Sequence, residues 1–407
     1  MSAAEIGVTL RRRVLAALIA GTSLAALSGT PASAAAGTPA PACPRGLVRI
    51  ASGCVGEAAV ARKISAIAHH KAAAIGVKAA IVEVDSGPRP LARLALGQSM
   101  AGVPATTKMH FRLGAIAIPN LITLILQLED EGRLSLNDSL SKYLPGFPNA
   151  SRVTLRMLAD DTSGYPDWIQ GNPAFEEELF AEPFKQWTVA ELLGRAFARP
   201  LACEPGTCFH YAHTNYAILS MIVAKVTGRA VGGLVQERVL GPLGLRQTRI
   251  SRRPAMPGPV LHSYNGESGR YQDSTFWSPS WTIGAGTAMS GTIGDVAREA
   301  RAVGTGELIS PQASRERFAP TTVGLPGVRP DRYFGLGIAV VDGWELQNPV
   351  LNGYTGIMAY LPSRRLSIAI VTTQKKRSAA SGDNYAADIF AALTAYLTPG
   401  HPGSLSG

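Results

Sequence analysis

Strand-like sequence falls into two groups that lie far apart along the chain, and this spacing limits the folds available to it. The stretches are residues 79–84, 91–96, 333–340, 358–361 and 366–371. Helical periodicity precedes the first group at residues 57–76 and follows the second at about 384–397, while residues 138–310 are typical of helix and loop. This order predicts an α+β fold in which an antiparallel sheet is flanked by terminal helices and carries an inserted, mainly helical lobe.

The first 34 residues have the pattern of an export signal. Three arginines at 11–13 precede an apolar run at 14–27, and Ala32-Ser33-Ala34 then offers a cleavage site. The apolar run is too short to span a bilayer. We expect cleavage after Ala34, and because no second long apolar run follows, we expect no membrane span in the mature protein. A secreted or cell-envelope location follows. The arginines fit ordinary export and the twin-arginine route alike.

The chain is basic, with a formal net charge of +10. In an exported protein this charge favours contact with anionic cell-wall polymers, although an inert basic surface explains it equally well. No basic cluster is interleaved with aromatic residues, so we expect no nucleic-acid partner. We also expect no cofactor.

The four cysteines suit an exported chain with two disulfides. Local pairing of Cys43 with Cys54 and of Cys203 with Cys208 is the simplest of the three possible connectivities. A metal site is the alternative, but two widely separated pairs with few histidines nearby lack zinc-like spacing, so we predict no metal.

The most informative motif lies at the start of a helix that is apolar on most faces, at about residues 117–131. Residues 111–118 read Phe-Arg-Leu-Gly-Ala-Ile-Ala-Ile, and Gly132 closes the helix. This sequence resembles the active-site region of the serine beta-lactamase and penicillin-binding-protein superfamily, in the branch of class C beta-lactamases, D-alanyl-D-alanine carboxypeptidases and related esterases. The resemblance implies the same architecture of antiparallel sheet, terminal helices and helical insert.

The resemblance covers roughly residues 57–398. Together with the export signal, it predicts how the chain is divided into segments. We expect a signal peptide at 1–34, and a linker with an N-terminal extension at 35–56. The beta-lactamase-like domain at 57–398 then comprises an α/β lobe and a helical lobe. The α/β lobe takes residues 57–112 and 320–398, and the helical lobe takes residues 113–319.

The family carries Ser-x-x-Lys at the start of this helix, and both reactive positions differ here. The Ser position is Ala115 and the Lys position is Ile118. In the family the Lys assists the Ser as it attacks a carbonyl. Since neither replacement can attack a carbonyl or move a proton, the resemblance predicts that acyl-serine catalysis is lost.

The second family motif, Tyr-x-Asn, corresponds to Tyr211-Ala212-His213 between the second cysteine pair and the next helix. Tyr211 is retained, and a histidine replaces the asparagine. His213 could serve as an acid or base near neutral pH. The alternative is that it only holds the loop by hydrogen bonds.

The third family motif, Lys-Thr-Gly or His-x-Gly, corresponds to Tyr354-Thr355-Gly356 on a strand. Tyr354 replaces the cation that would hold a substrate carboxylate, whereas Thr355 and Gly356 are retained. In the family an oxyanion hole is built from two backbone N–H groups, which here would belong to Ala115 and Ile357. Backbone donors survive changes of side chain, so this part of the binding site is expected to persist.

The family's His-Thr-Ser-Gly turn corresponds to residues 158–166, which read Leu-Ala-Asp-Asp-Thr-Ser-Gly-Tyr-Pro and contain Asp160 and Asp161. Acidic residues at such a position are typical of turns, so we interpret both aspartates as turn formers rather than catalysts.

The sequence leaves three functional hypotheses. The leading one is an exported, non-acylating member of the family that binds a cell-wall fragment, a peptide-like or other small molecule, or a partner protein. The second is a hydrolase of esters or amides that uses His213 with Tyr211 or Tyr354 to activate water. The third is a purely structural envelope protein.

Overall fold

The structure is a computed structural model, and it describes residues 43–50, 53–282, 288–376 and 383–405. The predicted signal at 1–34 lies outside the described residues. The first described element is an antiparallel hairpin of β1 (Leu47–Ile50) and β2 (Gly53–Gly56). The Cys43–Cys54 disulfide joins this hairpin to the chain before it, which confirms the first local pairing.

The remaining strands and the helices follow in chain order. The strands are β3 (Ala79–Ser86), β4 (Arg89–Met100), β5 (Val103–Pro104), β6 (Phe111–Arg112), β7 (Arg249–Ile250), β8 (Tyr264–Asn265), β9 (Gln272–Asp273), β10 (Met289–Gly291), β11 (Arg332–Phe334), β12 (Ala339–Val341), β13 (Trp344–Gln347), β14 (Val350–Leu351), β15 (Tyr354–Leu361) and β16 (Leu366–Thr373). The α-helices are α1 (Glu57–Ile75), α2 (Ile118–Asp130), α3 (Leu155–Ala159), α4 (Pro173–Ala181), α5 (Val189–Phe197), α6 (His213–Thr227), α7 (Val231–Val235), α8 (Ile293–Gly304), α9 (Pro311–Arg317) and α10 (Tyr385–Leu397).

The large sheet joins strands from both ends of the domain. Its order is β11-β12-β13-β15-β16-β3-β4-β5, with β14 paired to β15, and its neighbours are antiparallel. The central strands β15 and β16 are buried along their whole length, because helices cover both faces of the sheet. The α+β fold predicted from the order of elements is therefore confirmed.

Alternation along β15 and β16 divides the interior into two cores. One face of the sheet packs with the terminal helices α1 and α10, through residues such as Ile357, Ile64 and Phe390. The opposite face packs with α2, α8 and the helices between them, through residues such as Met358 and Leu121. Along β15, odd-numbered residues such as Ile357 therefore face the first core, and even-numbered residues such as Met358 face the second.

The stretch at 333–340, predicted as one strand, is instead two. β11 and β12 are separated by a turn in which Gly337 has a φ of 63°. Gly335 lies so close to Arg317 that a Cβ there would collide with the Arg317 carbonyl oxygen. The alternating sequence indicated extended structure correctly, but the two glycines give the chain a sharp turn within it.

The motif helix α2 lies inside the core of the helical side. A 3₁₀ turn at Gly114–Ala117 leads directly into it, and Pro119 occupies its first turn as predicted. Ten of its thirteen residues are buried, so its apolar character on most faces reflects burial all round.

Within the described ranges, no single helix is long and apolar enough to cross a membrane. The bent pair His213–Thr227 and Val231–Leu240 passes the same test of length and composition when its two parts are taken together.

Candidate functional site

Ala115 and Ile118 have different surroundings at the start of α2. Ala115 is half-buried in the 3₁₀ turn, whereas Ile118 has no exposed surface. The Ile118 side chain packs against Gly337, where an added Cβ would lie 2.8 Å from Ile118 Cγ2. Ile118 is thus a core residue, and the position that carries Lys in the family is closed by apolar packing.

Tyr354 and Thr355 point to opposite sides of β15. Tyr354 lies in the core of the helical side, and its hydroxyl donates to the carbonyl of Leu261 at 2.5 Å. The Thr355 hydroxyl is 2.6 Å from that of Thr372 and accepts from the backbone N–H of Ala386 in α10. Burial raises the pKa of Tyr354 far above its usual value, so this residue is a neutral donor that already has an acceptor.

The backbone donors on β15 do not follow our expectation. Gly356 N–H donates to the carbonyl of Pro349 at 2.9 Å, on the side of the strand away from β16. Because successive N–H groups alternate in an antiparallel ladder, the N–H of Ile357, which pairs with Ile370, faces β16. Gly356 rather than Ile357 therefore directs its N–H away from β16, and Ile357 cannot form the expected donor pair with Ala115.

The space beside the start of α2 is narrow. The Pro349 ring lies against both Gly114 and Gly356, since a Cβ added to either glycine would come within 3.1 Å of that ring. A cavity of about 10 Å³ remains between β6, β15 and this turn, enough for about one water molecule. It is lined by Arg112, whose guanidinium donates to the carbonyls of Arg253 and Pro254 and whose pKa is lowered to about 10 by burial.

The strand β15 is also tied to the last helix. Asn384, which caps α10 through its side-chain oxygen, donates from Nδ2 to the carbonyls of Asn348 at 2.9 Å and Gly356 at 3.1 Å. Together with the Thr355–Ala386 hydrogen bond, these contacts fix the motif strand from the side opposite α2.

The loop that carries Tyr211 and His213 is held by Asp161. Asp161 has a φ of 58°, and its carboxylate accepts from the Ala212 N–H at 3.1 Å, from Asn215 Nδ2 at 2.6 Å and from the Tyr216 hydroxyl at 2.5 Å. Complete burial raises the pKa of Asp161 well above its ordinary value. This aspartate is a turn former, as expected, and it also connects the turn to the start of α6.

The Cys203–Cys208 disulfide lies beside the same turn and confirms the second local pairing. Gly164 approaches Cys203 so closely that a Cβ on the glycine would collide with the Cys203 carbonyl oxygen. The Gly164 φ of 73° also favours glycine at this position. Turn and disulfide-bonded loop therefore pack as one unit.

His213 forms a pair with Asp167, a residue that the sequence did not single out. His213 Nδ1 is 2.7 Å from Asp167 Oδ2, and the backbone N–H of His213 donates to the same oxygen at 2.6 Å. The side chain of Asp167 is fully buried and that of His213 is 14% exposed. Burial alone would raise the pKa of Asp167, but the adjacent His213 and the hydrogen bonds outweigh it and hold that pKa below its usual range.

Three aromatic rings surround the His213 imidazole. The ring centroids of Tyr211, Trp168 and Trp281 lie 5.3, 5.6 and 6.4 Å from that of His213. Trp168 Nε1 donates to the Trp281 carbonyl at 3.0 Å, which joins two loops that are distant in sequence. The imidazole is therefore confined to one orientation by a carboxylate and by apolar walls.

The structure brings Tyr211 and His213 together, and it places Tyr354 and Thr355 on a separate strand with structural partners of their own. Asp167 is the functional candidate that sequence reasoning missed. The available signal was an aspartate within the apolar and aromatic segment 165–168, Tyr-Pro-Asp-Trp, where a carboxylate needs a buried partner.

Among the residues with described positions, no group of three or more His, Cys, Asp or Glu side chains could hold a metal ion. The Asp167–His213 pair can accept or donate a proton, and the neutral hydroxyl of Tyr211 can donate a hydrogen bond.

Comparison with known proteins gives one family. The beta-lactamase family model matches residues 65–392. The putative penicillin-binding protein PbpX of Bacillus subtilis (strain 168) is 26% identical over 254 residues, which are 62% of this chain and 59% of that protein. This chain spans about half the length of the curated relatives it matches.

Solved structures share the fold over nearly their whole length. A D-stereospecific amidohydrolase from Streptomyces sp. superposes with a TM-score of 0.71 at 25% identity, covering 82% of this chain and 98% of that one. The D-amino acid amidase from Ochrobactrum anthropi SV3, complexed with L-phenylalanine, gives a TM-score of 0.69 at 20% identity, with coverage of 82% and 98%. At 20% identity the second likeness concerns the fold alone.

Proposed function

This chain belongs to the beta-lactamase family, and from that premise we propose that it is an exported, non-acylating member that binds an amino-acid or peptide-like ligand. The observation that carries the proposal is the pair Ala115 and Ile118 at the start of α2. The first offers no nucleophile, and the second is fully buried where a proton-accepting amine would be needed.

The closed packing around Ile118 supports loss of acyl-serine chemistry at the family's Ser and Lys positions. Ile118 and Ile122 both lie against Gly337, so the core is filled by branched side chains at this point. A charged amine placed there would be desolvated without a designed partner. We infer that the family's acyl-serine mechanism does not operate in this protein.

Export is part of the proposal. The pattern at 1–34 supports a cleaved signal, and the two disulfides suit an oxidising compartment. The mature protein would begin with the 35–56 segment and continue into the domain at 57–398, with an α/β lobe at 57–112 and 320–398 and a helical lobe at 113–319.

The ligand class is inferred from the site and from relatives. Among the similar proteins, the D-stereospecific amidohydrolase from Streptomyces sp. shares the fold at 25% identity. Tyr211 and His213 offer a donor and a titratable ring beside aromatic walls, which suits a small ligand with both polar and aromatic parts. We place the ligand at these residues, with Ala115 and the Tyr354–Ile357 strand as the neighbouring wall.

Intact-protein mass spectrometry tests the loss of acylation. The native protein, mixed with benzylpenicillin or an activated ester, should keep its mass. Ala115→Ser combined with Ile118→Lys should gain an adduct if only the reactive groups are missing, and Ala115→Cys supplies a nucleophile that needs no buried lysine. A stable adduct on the native protein would show a nucleophile elsewhere and end the proposal.

Calorimetric titration with D- and L-phenylalanine amide tests the binding. Saturable binding that Tyr211→Phe or His213→Ala weakens at least several-fold is expected. Tyr333→Phe is the matched control, because that hydroxyl donates to the Phe318 carbonyl on another part of the molecule. Binding that is unchanged in the Tyr211 and His213 variants would remove the ligand from this site.

A further inference from the structure

Asp167 is held in one position with all of its hydrogen-bonding capacity used. Oδ1 accepts from the backbone N–H groups of Ile169 at 2.6 Å and Gln170 at 2.9 Å. Oδ2 accepts from the backbone N–H and from Nδ1 of His213. A fully buried carboxylate with four donors has no freedom to rotate, so it fixes whatever it contacts.

The contacts of Asp167 determine the tautomer of His213. Because the Asp167 carboxylate is ionised and can only accept, Nδ1 must carry the proton that it donates. In the neutral ring this leaves the lone pair on Nε2. No described residue hydrogen-bonds to Nε2, and the partly exposed ring gives that atom access to solvent.

The neighbouring Tyr211 supplies the complementary group. Its ring centroid is 5.3 Å from that of His213 in an edge-on arrangement. Burial, and then the charges of Asp161 and Asp167, raise the pKa of Tyr211 well above its usual value, so its hydroxyl stays protonated as a donor. Over the described part of the chain this hydroxyl has no acceptor.

We propose that Asp167, His213 and Tyr211 form a catalytic unit that hydrolyses carboxylic esters by direct attack of water, without an acyl-enzyme. His213 and Tyr211 would be the catalytic residues, and Asp167 a positioning residue that acts through His213. The inference rests on the proposed function, since the ester is a form of the amino-acid-like ligand bound at these residues.

The reaction needs only the ester and water. His213 Nε2 takes a proton from water as the water oxygen forms a bond to the carbonyl carbon, while the Tyr211 hydroxyl donates to the carbonyl oxygen. The tetrahedral intermediate then collapses, the bond from carbon to the alkoxy oxygen breaks, and the imidazolium gives its proton to that leaving oxygen. The products are a carboxylic acid and an alcohol, and His213 returns to its neutral form.

A second His–Asp pair in the chain provides the comparison. His262 Nδ1 is 2.7 Å from Asp273 Oδ2, the same distance as in the first pair, and His262 is 16% exposed. The Asp273 side chain, however, is 42% exposed. The ring beside His262 is Phe276, which has no hydroxyl to donate. The two pairs have similar distances but different surroundings, so only the first is expected to be active.

The test is hydrolysis of the methyl esters of D- and L-phenylalanine by the full protein, followed by chromatography of the released acid. His213→Gln should lower kcat about 100-fold or more, in the range of a lost general base. Tyr211→Phe should lower kcat with a smaller effect on KM. His262→Gln should leave both unchanged. The native protein should carry no acyl adduct during turnover.

The variant Asp167→Asn tests whether Asp167 positions His213 for catalysis or only stabilises the fold. The amide would present a donor to Nδ1, which reverses the tautomer and places the proton on Nε2. We expect kcat to fall with KM nearly unchanged, and nitrogen NMR of the His213 ring to show the exchanged proton position. If Asp167→Asn does not fold, the kcat values of His213→Gln and Tyr211→Phe still test the catalytic unit.

The outcomes separate this inference from the proposed function. Ester hydrolysis no faster than in buffer, with phenylalanine amide still bound, overturns the catalytic unit and leaves the binding proposal standing. Hydrolysis that His262→Gln abolishes, or that His213→Gln leaves intact, also overturns it. Absence of both binding and hydrolysis would defeat both proposals.

Discussion

Asp167 and His213 are joined twice through a single oxygen, because Oδ2 accepts both the backbone N–H and the ring N–H of the same residue. His213 is also the first residue of α6, so the carboxylate satisfies a donor that a helix N-terminus leaves open. One carboxylate oxygen thus contacts both the N-terminus of a helix and the ring of the first residue of that helix.

This double contact predicts a stability effect of Asp167→Ala. The change leaves the N–H groups of Ile169, Gln170 and His213 without a buried acceptor, so we expect a loss of about 3 kcal/mol or more, at roughly 1 kcal/mol or above for each. Urea denaturation at neutral pH measures it. Asp273→Ala is the exposed counterpart and should cost less; equal losses would contradict the role of burial.

The same carboxylate predicts a dependence on acid. The folded-state pKa of Asp167 is held below its ordinary value, so its contribution to stability is present above that ordinary value, near pH 4, and is lost as pH falls through the folded-state pKa. Urea midpoints between pH 6 and about 3 should therefore fall more steeply for the native protein than for Asp167→Asn. Parallel curves would show that this carboxylate is not preferentially ionised in the folded state.

Glu299 predicts a pH dependence of the opposite sign. This fully buried side chain accepts from Asn120 Nδ2 at 2.7 Å, and burial raises its pKa to about 8. Its protonated form is favoured by folding, so stability is highest below the ordinary pKa of a glutamate and declines as pH rises towards about 8.

Glu299→Gln should retain the acceptor for Asn120 and remove this decline. We expect stabilisation at pH 9 on the order of a few kcal/mol, since a pKa difference of one is worth about 1.4 kcal/mol. Urea midpoints at pH 5 and pH 9 provide the measurement, with exposed Glu177→Gln as the control. A variant less stable than the native protein at pH 9 would refute the assignment.

Ile118→Lys, made alone, should destabilise the protein by several kcal/mol, because it places an amine in a fully buried site beside Gly337. Ile118→Leu keeps the volume and should cost less than about 1.5 kcal/mol. Thermal unfolding compares the two. A lysine variant as stable as the leucine one would indicate an unexpected route from this position to solvent.

Removal of each disulfide should have a different effect on ligand binding. Replacing Cys203 and Cys208 by serine frees the loop that precedes Tyr211, and we expect a loss of stability of about 2 kcal/mol together with weaker binding of phenylalanine amide. Replacing Cys43 and Cys54, which join the N-terminal hairpin to the preceding chain, should leave binding unchanged. Unfolding curves and calorimetry distinguish the cases, and equal effects on binding would show that neither loop is specific to the site.

The architecture could be predicted from the sequence because the order of elements and their periodicity are local properties. The terminal helices predicted at 57–76 and 384–397 correspond to Glu57–Ile75 and Tyr385–Leu397. The division of 333–340 into two strands was not predicted, because it depends on close approach of Arg317 to Gly335. Such an approach is set by tertiary packing and does not change the hydrophobic periodicity of the sequence.

The site was predicted only in part, for the same reason. The motif positions Tyr211 and His213 could be predicted from the surrounding sequence. Asp167 lies 46 residues from His213 and contacts it only in the folded chain. The orientation of the Ile357 N–H depends on the parity of β15 against β16, which a motif match does not specify.

The attachment of Asn384 to Gly356 has a practical meaning for handling the protein. The first turn of the last helix is bonded to the motif strand, so the C-terminal region is part of the scaffold that shapes the site. Shortening the chain into α10, or fusing a bulky tag so close that the helix frays, should disturb β15 at a distance. An affinity tag used to purify this protein is therefore better separated from Leu397 by a long spacer.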